Sequence, residues 1–255
     1  MMADKDKSQA LAEFGRLADI MERLRGPDGC EWDRAQDFAS IAPYTLEEAH
    51  EVADAIARQD MADLCEELGD LLLQVVFHAQ MAAEAGHFTL ADVGRGICDK
   101  MERRHPHIFR SSIPLCAEEV KANWESIKAA EKPRDSVLDG IALTLPALTR
   151  AEKLANRAAR TGFDWPDPSG PLAKIHEELE EVAQAETPAD LEEEAGDLLF
   201  AAANYVRKLG VDPEAVLRAA NRKFEQRFRK IEKEPDFSKL SLSEQEALWQ
   251  SSKRL

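Results

Sequence analysis

Apolar residues recur at helical spacing in two separate stretches of the chain. In the first, Leu46, Ala49, Val52, Ala53 and Ile56 form one stripe, and Leu64, Leu68, Leu71, Leu72 and Val75 form the next. A period near 3.6 predicts two amphipathic helices, the first capped by Thr45 and the second by Asp60. Gly86 ends the second, and a third helix begins near Thr89 or Asp92 and carries Ile97 and Met101. In the later stretch Thr187 with Pro188 behind it starts a helix, Gly210 ends it, and Asp212 with Pro213 opens another. Each stretch reads as a small helical bundle.

The two stretches are copies. LEEAHEVADAI (46–56) aligns with HEELEEVAQAE (176–186), and DMADLCEELGDLLL with TPADLEEEAGDLLF. DKMERRH (99–105) aligns with RKFEQRF (222–228), GCEWD (29–33) with GFDW (162–165), and WESIK, containing Trp124 and Lys128, with WQSSK, containing Trp249 and Lys253. Similar segments in one order mark a tandem duplication. The two prolines and glycine of EKPRDSVLDGIALTLP (131–146) read as the connection. The expected organisation is a first domain over 8–131, a linker over 132–145 and a second domain over 146–255.

Composition agrees with an all-α protein: aromatics are 6% of the 255 residues, and Ala, Leu, Glu, Lys and Arg dominate over β-branched types. With 33 basic against 49 acidic side chains the formal charge is −16, a field that repels polyanions and argues against nucleic-acid or anionic-membrane partners. A phosphorylated small molecule remains compatible if a divalent cation screens it. The four cysteines (Cys30, Cys65, Cys98, Cys116) offer no CxxC pair, and reduced, mostly buried thiols are expected. No stretch approaches the roughly eighteen apolar residues of a membrane span, and the N-terminus lacks a signal-peptide core. A cytoplasmic protein is expected.

The duplication puts weight on the acids. Glu48 and Glu51 are three apart, as are Glu67 and Asp70, so each pair projects from one side of its helix. In an antiparallel hairpin the four carboxylates converge, and the copy repeats them as Glu178, Glu181, Glu194 and Asp197. Fifteen residues lie between the pairs in the first copy and twelve in the second, a difference absorbed in the turn. Clustered carboxylates repel and lose hydration, so they persist with a counter-charge. Oxygen-only donors suit Mg²⁺ or Mn²⁺, and four negative charges can hold two such ions. A capping role for Glu48 fails in the copy, where Ile175 stands in place of Thr45. A di-iron site needs Glu-x-x-His on two helices; Glu47 and His50 have that spacing, but the copy has Glu180 where His50 stands. Gly69 and Gly196, between the acids, suggest close approach of a neighbouring helix or ligand. Lys100 with Arg104, and Lys223 with Arg227, place two cations one turn apart, as a polyphosphate site requires. Trp249 with Lys253 adds a ring for stacking and another cation.

These residues resemble a known family. Glu47, Glu48 and Glu51 followed by Glu67 and Asp70, and Glu177, Glu178 and Glu181 followed by Glu194 and Asp197, look like the acidic motif of the all-α nucleoside triphosphate pyrophosphohydrolases of MazG type. GCEWD, IAPYTLEEAHEV, ERRHPHIF and GFDW extend the likeness to the two-domain members, over nearly the whole chain. The resemblance implies two MazG-like bundles in a homodimer and Mg²⁺-dependent hydrolysis of NTPs and dNTPs between the α and β phosphorus atoms, with a house-cleaning role. The expected metal ligands are Glu178, Glu181, Glu194 and Asp197, with Glu48, Glu51, Glu67 and Asp70 as the first-copy set. Lys174, Glu177, Glu178, Asn204, Asn221, Lys223, Arg227, Trp249 and Lys253 are the expected substrate contacts. Glu177 and Glu193 are alternative general bases, between which the sequence does not choose. One departure is Asp190, where family members often carry a basic residue.

The copies also differ. Asn204 occupies the position of Phe77, and Asn221 that of Cys98, so the second copy offers extra hydrogen-bonding groups and is expected to be the main catalyst. The competing reading is a regulatory module that senses a nucleotide through Mg²⁺ without turnover.

Overall fold

The computed structural model describes residues 4–109, 116, 119–120 and 135–253. Trp124, Lys128 and residues 131–134 of the expected connection lie outside them. The chain divides into two compact units, Met1–Lys132 and Pro133–Leu255. Every regular element among the described residues is helical.

The first unit contains α1 (Asp4–Arg25), α2 (Glu31–Ala35), α3 (Phe38–Arg58), α4 (Met61–Glu84), α5 (Leu90–Arg104) and α6 (Pro106–Phe109). Helices α3 and α4 form its hairpin. Gln59 makes the turn in the left-handed region at φ 58°, and the Asp60 carboxylate accepts from the amides of Ala62 and Asp63 at 3.2 and 3.1 Å. Two residues therefore suffice to reverse the chain. Thr89 caps α5 in a reciprocal box with Asp92.

Thr45 is not a cap. Helix α3 begins seven residues earlier, at Phe38, where Asp37 and Ser40 exchange side-chain to backbone bonds in a capping box. Pro43 sits inside the helix, in its second turn, where it removes the amide that would bond the Ala39 carbonyl. Thr45 Oγ1 instead meets His78 Nε2 at 3.0 Å, joining α3 to α4. Burial holds that imidazole below its usual pKa.

The core of this unit is Met21, Ile41, Val76, Phe77 and Met81, with Leu17, Leu73 and Leu90 packed against it. The stripe expected to be buried on α3 is not: Leu46 and Ile56 are 51% and 55% exposed. The hairpin has two sides, and within the chain the core covers only the other one. The cysteines are free, as expected, but all four are exposed.

The second unit contains α7 (Ala147–Ala159), α8 (Ser169–Gln184), α9 (Pro188–Lys208), α10 (Pro213–Ile231), a 3₁₀ turn (Phe237–Lys239) and α11 (Leu242–Ser252). Its hairpin is α8 with α9; α7 packs on α9, and α10 packs on α11 and α7. Thr187 caps α9 in a box with Asp190, Pro188 takes the first turn, and Asp212 caps α10 in the same way as Asp60 caps α4. Asp190 is thus used by the helix start, which accounts for an acid where family members often carry a base. Residues 137 and 139 pack onto this unit, their carbonyls accepting from Arg157 Nη1 at 2.8 and 3.3 Å. Most of the buried apolar side chains here are small, Ala155, Ala201, Ala203 and Pro171, with Ile231 the larger exception. Small residues leave space that Phe77 and its neighbours fill in the first unit.

Candidate functional site

Each hairpin brings three carboxylates together. In the second unit Glu178 comes from α8 and Glu194 and Asp197 from α9; one oxygen of each lies within 4.8 Å of the others. Glu48, Glu67 and Asp70 form the equivalent group in the first unit. Of the expected quartets, Glu181 and Glu51 stand outside these tight triplets but close enough to act on them. Burial, and then the charges of Glu181 and Glu178, push the Glu194 carboxyl above its ordinary value. Burial and then Glu178 do the same to Glu181. In the first unit burial raises Glu48 and Glu67, with Asp70 and Glu51 respectively the strongest neighbours.

The second site is the more developed. Glu178 is 3% exposed, and its Oε1 is held by Lys174 Nζ at 2.7 Å, while Lys174 also reaches Glu177 at 2.9 Å. The other oxygen, Oε2, is buried and has no hydrogen-bond partner. A buried carboxylate oxygen left bare costs free energy unless a cation completes it. Three converging carboxylates with such an orphan fit a hard divalent ion. At the position of Lys174 the first unit has Tyr44, four residues before Glu48.

Beside this triplet lies a cavity of about 450 Å³. Trp165, Phe163, Phe200 and Leu154 supply apolar walls; Lys174, Glu178, Asp197, Asn204 and Arg207 supply polar ones. Asn204 is buried, two helical turns beyond Asp197 on α9. Its Oδ1 accepts from Arg207 Nε at 2.7 Å. The same guanidinium donates to Asp164 at 2.7 Å and to Asn156 at 3.2 Å, and Lys208 reaches Asp164 at 3.2 Å. Burial pushes the Asp164 carboxyl upward, but Arg207 and Lys208 outweigh it and hold it below the usual aspartate value. Arg207 and Lys208 thereby tie the GFDW loop to α9. Trp165 lies against the start of α8 because residue 170 is glycine: a Cβ there would sit 2.0 Å from Trp165 Cδ1.

Other expected contacts are placed elsewhere within the chain. Trp249 packs on Phe224 with ring centroids 5.1 Å apart, and the Arg227 guanidinium lies over the indole at 5.9 Å. Asn221, Lys223 and Lys253 are exposed on α10 and at the end of α11. None of these five lines the cavity. Gly69 and Gly196 do not admit a neighbouring helix: a Cβ on either would meet nothing within 4 Å. Sequence reasoning did not single out Arg207, Asp164 individually, Phe163 or Phe200. The available signal was the acid inside the repeated loop motif and a basic residue one turn beyond Asn204.

Two helical hairpins in tandem, each gathering three acids, define an all-α protein with paired acidic centres. Residues 36–109 match the MazG nucleotide pyrophosphohydrolase domain, and residues 153–224 match phosphoribosyl-ATP pyrophosphohydrolase. The chain is 49% identical to a nucleoside triphosphate pyrophosphohydrolase of Escherichia coli (strain K12), over 95% of this chain and 97% of that one. It is also 49% identical to the nucleoside triphosphate pyrophosphohydrolase/pyrophosphatase MazG of Thermotoga maritima, over 86% of this chain and 85% of that one. A mazG-related protein from Thermotoga maritima, known from a crystal structure, aligns with TM-score 0.40 and 29% identity over 45% of this chain and 97% of that one. The chain belongs to the MazG family of nucleoside triphosphate pyrophosphohydrolases.

Proposed function

We propose that the second unit hydrolyses ribo- and deoxyribonucleoside triphosphates between the α and β phosphorus atoms, releasing a nucleoside monophosphate and pyrophosphate. The observation that carries this is the buried, half-satisfied Glu178 in a carboxylate triplet that opens into an aromatic-walled cavity. Glu178, Glu194 and Asp197, with Glu181 alongside, would hold Mg²⁺ or Mn²⁺. Such an ion supplies charge neutralisation for the triphosphate and a bound water of lowered pKa.

The remaining work belongs to the chain. Lys174 keeps Glu178 oriented through Oε1, leaving Oε2 free for the ion. Glu177 is engaged by Lys174, whereas Glu193 makes no ion pair among the described residues and stands close enough to Glu194 to raise it; Glu193 is therefore the better proton acceptor for the attacking water. Trp165, Phe163 and Phe200 exclude water around the nucleoside. Asn221, Lys223, Arg227 and Lys253 remain assigned to the polyphosphate, reached from α10 and the end of α11, while Trp249 stands outside the cavity that would take the base.

The first unit keeps its triplet but has Phe77 where Asn204 stands and Tyr44 where Lys174 stands, which supports a lesser or structural role. A second copy of the chain would cover the bare hairpin sides, where Leu46, Ile56, Leu179 and Leu199 are about half exposed or more. A homodimer in sedimentation equilibrium is the expected state.

The test is pyrophosphate release from a panel of NTPs and dNTPs. Activity should require Mg²⁺, disappear in Glu178→Ala and Glu194→Ala, and largely survive Glu48→Ala and Glu67→Ala. Unchanged turnover in both second-unit variants would refute the assignment, and triphosphate binding with no product would mark a sensor instead.

A further inference from the structure

Among the described residues, Asn204 is the one buried amide side chain on the cavity wall. An amide can face a ligand as a donor or as an acceptor, and which it offers is normally ambiguous. Here chemistry removes the ambiguity. An arginine side chain only donates, so the atom 2.7 Å from Arg207 Nε is the amide oxygen, Oδ1. Arg207 cannot easily swing away, because Asp164 and Asn156 hold its other nitrogens and its side chain is 9% exposed. With Oδ1 engaged, what Asn204 presents is its NH₂ group, which makes no hydrogen bond among the described residues. Arg207, the polar neighbour of Asn204 on the wall, also offers only N–H groups.

The position fits a base. Asn204 lies seven residues beyond Asp197 on one face of α9, about 10 Å along the axis. A triphosphate anchored at the carboxylates would reach this point with its nucleobase, between Trp165 and Phe200. We propose that Asn204 is a specificity-determining residue that selects bases carrying an exocyclic oxygen, the 6-oxopurines and 4-oxopyrimidines, and that Arg207 is the positioning residue that fixes its amide. An amino base would set its NH₂ against the NH₂ of Asn204, leaving two donors facing each other with no acceptor between them. Deaminated purines would be accepted on the same footing as guanine, which suits an enzyme that clears damaged nucleotides. This inference rests on the proposed triphosphate hydrolysis, which the experiment checks separately.

The experiment measures kcat/KM of the full-length protein for two matched pairs, ITP against ATP and dUTP against dCTP, which differ at the exocyclic group. The wild type should favour the oxo member of each pair by about tenfold, the discrimination one mispaired buried donor produces. In Asn204→Asp, a carboxylate still held by Arg207 has no donor left to offer the exocyclic oxygen but can accept from the amino group of ATP and dCTP or from the ring N–H of ITP and dUTP, so the oxo preference should be lost. Asn204→Ala should bring both ratios near unity, and so should Arg207→Gln, by freeing the amide to turn. Ratios near unity in the wild type, or ratios unchanged in Asn204→Asp, overturn the inference while leaving hydrolysis intact. Should no triphosphate be hydrolysed, the function reading fails instead, and calorimetric binding of ITP against ATP decides the base preference: tighter ITP supports it and equal affinities overturn it.

Discussion

Replacing Asp164 with asparagine tests the tie between the GFDW loop and α9. The Asp164 side chain is 20% exposed, and its partners Arg207 and Lys208 are 9% and 15% exposed, at 2.7 and 3.2 Å. Removing one partner of a fully buried ion pair costs about 3–5 kcal/mol, because a charge is left uncompensated. The cost here is lower. Arg207 retains Asn204 and Asn156, Lys208 retains the Trp165 carbonyl, and water reaches part of the site, so about 2–3 kcal/mol is expected. At about 3–4 °C per kcal/mol this lowers the unfolding transition of the second unit by roughly 6–12 °C. Calorimetry of the full chain near neutral pH reads the shift. Its pH dependence has a definite sign. Asp164 has a folded pKa depressed below the reference value of 3.8, so its contribution is complete above that value and is lost as pH falls through the depressed one. The gap between wild type and variant should therefore hold from neutral to mildly acidic pH and close only in strong acid. A gap under about 1 °C at neutral pH, or one that widens on acidification, refutes the reasoning.

Glu194→Gln removes one of several like charges, so without metal the variant should unfold at a higher temperature than wild type at neutral pH; adding Mg²⁺ should raise the wild type and leave the variant unmoved in differential scanning fluorimetry. A variant that still responds to Mg²⁺ would exclude Glu194 as a ligand. Because the carboxyls of Glu194 and Glu181 are raised above 4.5, their favourable protonation in the folded protein is present below that value and is lost as pH rises through the raised values. The Mg²⁺-induced stabilisation should accordingly weaken on acidification before an ordinary glutamate would titrate, as a calorimetric pH series of Mg²⁺ binding would show. Gly170→Ala forces the Trp165 ring off the start of α8, and should raise KM for triphosphates while sparing the Mg²⁺ response; an unchanged KM would remove Trp165 from the nucleoside site.

What the sequence made legible was local. Asp60, Thr89, Thr187 and Asp212 each cap a helix because a short polar side chain before an apolar stripe satisfies free amides whatever lies around it. Glu178 met Glu194 and Asp197, and Glu48 met Glu67 and Asp70, across a tight hairpin turn, while Glu181 and Glu51 fell outside the triplets. Thr45 was misread for a related reason: it immediately precedes the apolar stripe that begins at Leu46, while the true signal, the Asp37 and Ser40 box, stood upstream where that stripe had not yet begun. The cavity and its polar wall were illegible. Asp164 meets Arg207 across 43 residues of chain, and no periodicity encodes such a pairing. Nor does a stripe reveal whether its own chain covers it, as the half-exposed Leu46 and Ile56 show.

The two units solve one packing problem with opposite chemistry. In the first, Arg25 runs from α1 to Glu84 at 2.7 Å and also reaches the carbonyls of Asp33 and Gln36, tying the GCEWD loop region to α4, and its guanidinium lies over the Phe77 ring at 5.4 Å. In the second, the arginine is on α9, the acid is in the loop, and the residue beneath the guanidinium is Asn204. Exchanging a buried phenylalanine for a smaller side chain costs on the order of 3–5 kcal/mol where the space stays open, so the second unit gives up apolar packing that the first retains. Ion pairs and hydrogen bonds around Asp164 offset part of that loss, but they do so by presenting donors to an open cavity. A duplicated fold with no ligand to bind would have no reason to keep that arrangement over Phe77. The second unit should consequently gain more stability from a bound nucleotide than the first, because there the carboxylate triplet opens into an unfilled cavity lined by Lys174, Asn204 and Arg207.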